Sequence, residues 1–149
     1  MNVLGVGPKI GIPAFSYLIA IIIIHYITKP FFLITENNYS SLLIAGIILI
    51  LLGIISLAYL GRKVIKSFNE EKLMTNGIYT ILRNPMYATY IIFIVPGLCL
   101  LFNSWIILTT VIIFYIVFHH YIKEEYKFLE EKYGEQYRMY LNKVKIKFL

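Results

Sequence analysis

Four apolar runs, at about residues 12–28, 42–60, 86–102 and 105–121, divide this chain, and the charged stretches fall between or after them. That pattern leaves few folds open. At roughly 1.5 Å per residue, each run is long enough to cross most of a hydrocarbon core of about 30 Å. Backbone N–H and C=O groups inside such a core must pair within their own segment, so each run is expected to be a helix. The hydrophobic fraction, 59% against 15% charged, exceeds what a soluble domain of 149 residues needs. The expected fold is all-α: one domain over residues 1–149, a polytopic membrane bundle of about four transmembrane helices with an interfacial C-terminal helix on the cytoplasmic side.

The connections carry the remaining structure. Residues 5–11 (Gly-Val-Gly-Pro-Lys-Ile-Gly) hold three glycines but follow no strand, so they read as a flexible lead-in and not as a nucleotide loop. A cleaved signal peptide fits poorly, because Lys9 alone precedes the first run and no small-x-small site follows it. Lys29-Pro30 ends that run, and the polar loop 35–41 offers Ser40 or Ser41 as a cap for the next helix. Gly46 and Gly53, seven apart, fall on one helix face and allow close approach of another helix. After Arg62, Lys63 and Lys66, the residues Val64, Ile65 and Phe68 suggest a short amphipathic interfacial helix. Asn84-Pro85 reads as a helix start, Asn84 as N-cap and Pro85 in the first turn, where a missing N–H costs nothing. Pro96-Gly97 predicts a kink inside the third run, because proline removes a backbone bond and clashes with the preceding turn. Asn103-Ser104 allows only a tight hairpin, so the third and fourth runs pack antiparallel. Beyond them, Tyr126, Leu129, Tyr133, Tyr137, Tyr140 and Val144 recur at helical period on one stripe, and Gly134 marks a bend or a close approach.

Composition removes several kinds of chemistry. There is no Asp, so carboxylate chemistry rests on Glu; no metal site is expected, because His25 has no second ligand at helical spacing and reads as an interfacial or interhelical hydrogen-bonding residue. The single Cys99 excludes an internal disulfide and reads as a small packing residue. Thirteen Lys and Arg fall on one side of a four-span arrangement and only Lys29 on the other, which puts both termini in the cytoplasm by the positive-inside rule. The net charge of +6 then suits anionic lipid headgroups, and no nucleic-acid partner is expected. High Ile and Lys content suggests an AT-rich prokaryotic genome and hence a plasma membrane.

The polar segment 73–87 and the start of the tail at 124–140 therefore share a compartment. Arg83, Asn84, Tyr79, Tyr87 and a helix N-terminus offer donors for an anion, and Glu124 and Glu125 offer acceptors for a cation. A zwitterion fits both. Gly77-x-Tyr79-x-x-x-Arg83-Asn84-Pro85-x-Tyr87, with Leu73 before it and Glu124-Glu125, Leu129, Tyr133-Gly134-x-x-Tyr137-x-x-Tyr140 after it, resembles the integral membrane methyltransferases typified by isoprenylcysteine carboxyl methyltransferase and phosphatidylethanolamine N-methyltransferase. The resemblance covers about half the chain, roughly residues 73–144.

The resemblance implies S-adenosylmethionine as methyl donor, bound on the cytosolic side between the two motifs, and a lipophilic acceptor entering from the bilayer. It implies that Arg83, Asn84, Pro85 and Tyr87 line the cofactor site beside Tyr79, and that Gly77 allows close backbone approach. Glu125, with Glu124, would hold the amino or sulfonium side, and Tyr133, Tyr137 and Tyr140 would close over the adenosine. Arg83, Glu125 and Tyr87 are the catalytic candidates, Glu125 and then Tyr87 being the groups to accept a proton from an amine. Departures from the family pattern include Asn84 for the commoner His, Thr89 where Gly often stands, and a tail ending without Pro. Two other functions stay open: a nicotinamide-dependent reductase of the sterol type, which four spans make small, and a non-enzymatic scaffold or transport protein. The acceptor, its pathway and the oligomeric state are not encoded in any motif read here. Orientation is testable by thiol labelling. In a Cys99→Ala background, Lys29→Cys and Lys147→Cys are expected to react with a membrane-impermeant maleimide from opposite sides of sealed vesicles; labelling from the same side overturns the four-span arrangement.

Overall fold

The computed structural model describes residues 5–37 and 39–147; Asn38, part of the expected polar loop, lies outside them. Four helices carry the fold: α1 (Gly7–Ile27), α2 (Ser40–Asn69), α3 (Pro85–Leu101) and α4 (Thr109–Lys143). Short 3-10 turns at Gly77–Thr80 and Trp105–Leu108 precede α3 and α4. The α1 and α2 helices, and α4 with the turn before it, are long and apolar enough to cross a membrane; α3 is apolar but shorter. The chain is an all-α helical membrane protein.

Packing fixes the helix directions. Near the start of α1, Ile10 and Ala14 bury against Phe114, Phe118 and Ile122 of α4; nearer its end, Leu18 and Ile21 meet Val95, Cys99 and Ile107. So α1 and α4 run antiparallel, and Cys99 is a buried packing residue. On the other side α2 runs antiparallel to α3, and its two glycines set the spacing. A Cβ at Gly46 would lie 2.8 Å from the Gly97 carbonyl oxygen and from the Leu101 nitrogen, and one at Gly53 would lie 2.5 Å from Ile94 Cδ1. Small residues here let two backbones touch, and dispersion across that contact takes over from the hydrophobic effect, which has little force between helices in lipid.

Several expectations shift by a turn or more. Residues 7–11 are the first turns of α1 and not a flexible lead-in, because Pro8 sits where no N–H is required and Ile10 is fully buried. Neither Ser40 nor Ser41 caps α2; Tyr39 holds the cap position without a side-chain bond. The separate interfacial helix after Leu60 is absent, since α2 continues unbroken to Asn69. Likewise the tail helix is the fourth span prolonged, bent at Gly134 (φ 47°, ψ −119°). In place of the expected kink at Pro96-Gly97, the helix is regular there and Tyr90–Ile94 just before it forms a wide turn in which Val95 N–H bonds to the Tyr90 carbonyl. Widening the turn absorbs the ring that would otherwise clash with the preceding backbone. Asn103 turns the hairpin with φ 51°, and its side chain bonds Thr35 through both the amide oxygen (3.1 Å) and nitrogen (2.7 Å). His25 is fully buried beside the Phe102 backbone at the end of α3, without reaching close hydrogen-bonding geometry with a partner among the described residues.

These directions gather the N-terminal end of α1, the C-terminal end of α2, the start of α3 and the outer half of α4 at one end of the bundle. Gly46→Ala is expected to destabilise the protein by about 1–3 kcal/mol, because the new methyl meets backbone that cannot step aside. Gly11→Ala, whose Cβ meets nothing within 4 Å among the described residues, should not lower the thermal melt in detergent. Equal melting of the two variants would show that the α2–α3 contact is looser than described.

Candidate active site

The site is assembled from two chain segments that meet through main-chain pairing. Gly77 has φ +67°, a left-handed conformation that favours glycine, and it starts the turn that carries Tyr79 and leads to Arg83. Beyond α4, the chain returns alongside this turn: Ile146 N–H bonds to the Ile81 carbonyl at 2.8 Å and Arg83 N–H to the Ile146 carbonyl at 3.0 Å. The Tyr140 hydroxyl donates to the Tyr79 carbonyl at 2.9 Å. Tyr137, Tyr140 and Val144 are buried there as an apolar cluster, with Leu73, Leu129 and Tyr133 packed against it.

Arg83 occupies the centre. Its guanidinium lies 3.2 Å from the centroid of the Tyr126 ring, a cation–π stack, and one terminal N–H donates to the Tyr137 hydroxyl. Its Nε is buried and has no hydrogen-bond partner among the described residues. Asn84 stands at the N-terminal boundary of α3, but its side chain does not cap the helix; Nδ2 donates instead to the Tyr126 hydroxyl at 2.6 Å. Tyr126 thus holds both residues of the Arg-Asn pair.

A cavity of about 450 Å³ opens over this cluster. Of the residues singled out in the sequence, Tyr79, Arg83, Asn84, Pro85, Tyr87, Glu125, Tyr133, Tyr137 and Tyr140 line it. Gly77 and Glu124 do not. Gly77 shapes the turn, and the nearest atom to a Cβ there would be Lys63 Nζ at 3.8 Å, so no close backbone approach accounts for it. Glu124 points outward and pairs with Lys9 at 2.5 Å. Further walls came from residues that sequence reasoning had not assigned to a site: Tyr126, Val64 and Phe68 at the end of α2, Lys72 and Lys132, and the first turn of α1. For Tyr126 a signal existed, since it shares the helical stripe of Tyr133 and Tyr137. For the α1 turn none did, because its place depends on the antiparallel packing of α1 on α4.

Electrostatically the cavity brings three basic side chains, Lys72, Arg83 and Lys132, to one acidic side chain, Glu125. Burial pushes the Glu125 carboxyl above the usual carboxylate range, while the Val6 backbone N–H and the Arg83 charge oppose it. Burial also raises the phenols. Tyr140 is pushed up to about 12, and in Tyr137 the hydrogen bond from Arg83 works against the rise. At neutral pH these tyrosines are neutral donors and π surfaces. Among the described residues, no group of three or more His, Cys or Glu side chains could hold a metal ion.

The arrangement offers a buried guanidinium for an anionic group, a carboxylate for a cationic one, and tyrosine faces for a planar ring. In comparison with known proteins, the sequence model of the family described as phospholipid methyltransferase matches residues 39–136. No curated protein and no solved structure matches the chain.

A carboxyl whose folded pKa is raised contributes stability below its unfolded value and withdraws it as pH rises through the folded value. The melting temperature is therefore expected to carry a component that falls as pH rises upward from about 4.5, and Glu125→Gln should remove that component. An identical pH slope in the variant would mean that the Glu125 carboxyl is solvated.

Proposed function

The chain belongs to the phospholipid methyltransferase family, and from that membership we propose that it transfers a methyl group from S-adenosylmethionine to a lipophilic acceptor held in the membrane. Arg83 and Glu125 on one cavity wall, with the Arg83 Nε buried and unpaired among the described residues, are the observation that carries this reading. A zwitterionic amino-acid moiety needs such a pair. The donor set also fits the rest of the cofactor: Tyr133, Tyr137 and Tyr140 offer faces to a purine, and about 450 Å³ lies within the range of small-molecule sites.

Each residue then has a task. Arg83 binds the carboxylate through the part of its guanidinium that lines the cavity, held in place by the Tyr126 stack and the Tyr137 bond. Glu125 attracts the ammonium or sulfonium charge, and its raised proton affinity suits it to take a proton from an amine acceptor. Bound there, S-adenosylmethionine supplies an electrophilic methyl on a sulfonium leaving group. The protein contributes alignment and exclusion of water. Val64, Ile65 and Phe68 give the cavity an apolar side formed by the end of a membrane helix, which suits an acceptor that arrives from lipid. The charge asymmetry of the loops supports a cytoplasmic position for this end of the bundle.

Calorimetric titration of S-adenosylhomocysteine into detergent-purified protein tests the reading. Micromolar binding is expected, weakened at least about tenfold by Arg83→Ala and by Glu125→Ala, since each removes one of two charge-assisted contacts. Folded wild-type protein that binds nothing would leave the family assignment standing but remove the cofactor from this cavity.

A further inference from the structure

The family model begins at residue 39, yet one wall of the cavity comes from outside it. Gly5, Gly7 and Pro8 all line the cavity. Beneath them Val6 and Ile10 are 2% and 0% exposed, packed with Phe118 and Ile122 of α4 and against Tyr87 and Tyr126. This turn therefore sits on the helix that carries Glu124 and Glu125. Neighbouring residues on a helix point about 100° apart, so only one of the two carboxylates faces inward for a given rotation of α4. Lys9 takes Glu124 on the outer side at 2.5 Å, and it also lies 5.7 Å from the Tyr121 ring centroid.

We propose that residues 5–10, the entry to α1 and its first turn, are a working wall of the methyl-donor cavity and that they position Glu125, Lys9 acting through Glu124 and Val6 and Ile10 through the buried face of α4. This rests on the methyl-transfer reading above. The Val6 backbone N–H acts on the Glu125 carboxyl itself, consistent with the same placement. Gly7 has a separate part. A Cβ built on it meets nothing within 4 Å among the described residues, although the residue lines the cavity, so its missing side chain leaves space that the ligand uses.

S-adenosylhomocysteine titration into full-length detergent-purified protein tests this with Gly7→Leu, Lys9→Met and Lys9→Arg, each first compared with wild type in a ligand-free melt. Gly7→Leu is expected to melt like wild type and lose at least about tenfold in affinity, because the side chain enters cavity space and not packed core. Lys9→Met should lose about two- to fivefold, the scale of an exposed ion pair, and Lys9→Arg should restore binding. A general weakening of the fold would not be rescued in that way. Wild-type affinity in both Gly7→Leu and Lys9→Met overturns the wall. If Gly7→Leu fails to fold, the Lys9 pair decides alone, and equal affinity of Met and Arg variants with wild type is the negative result. Absence of binding by wild type removes the methyl-donor reading, and the wall falls with it.

Discussion

Arg83 is the point at which the two halves of the polar region become one structure. It is held by a ring from α4, Tyr126, and by a hydroxyl from beyond its middle, Tyr137, while its own N–H is tied to Ile146. A guanidinium keeps its charge in any such environment, so burying it requires partners that accept its N–H groups and polarise toward its plane. Tyrosine does both. Removing water from this cluster makes each remaining contact stronger and each missing one more costly, and the unpaired Nε is the place where that cost has been left open. Everything else at this end of the bundle is arranged around that cation: the Gly77 turn delivers it, the returning tail clamps it, and Glu125 lines the same cavity.

The spans were legible because their constraint is simple: an apolar solvent enforces helices, and Gly46 and Gly53 stand where small residues must. Pro85 announced the start of α3, and Pro96 a departure from regular helix that takes the form of a wide turn before it, not a kink. Helix ends were less legible. Arg62, Lys63 and Lys66 look like a membrane exit, but nothing in them breaks a helix, and α2 runs on to Asn69. The same holds for Lys123 and Glu124 in α4. Charge marks where lipid ends, not where hydrogen bonding along a helix ends.

Of the site, the two motifs could be read and most of their side chains line one cavity. Tyr126 was visible only as a member of an aromatic stripe, because its importance depends on the rotation of α4 relative to Arg83. Asn84 was read as a cap from its position before proline; the structure gives its amide to Tyr126 instead, a choice that local sequence does not record. The glycines of residues 5–11 show the reverse error. They look like flexibility, and Gly7 is instead the first residue of a packed helix whose bareness faces a cavity.

The unbroken course of α4 has a mechanical consequence. One rod runs from Thr109, at the far end of the bundle, past Glu125 and Tyr126, and bends only at Gly134. A helix that tilts to match its hydrophobic length to the bilayer moves as a lever. Its inner arm lies in lipid and its outer arm carries the carboxylate and the ring on which Arg83 rests. Glu125 and Tyr126 therefore share one continuous helix with the apolar stretch that packs on α1, and the chain changes course only at Gly134, before Tyr137 and Tyr140 reach back over the same cavity.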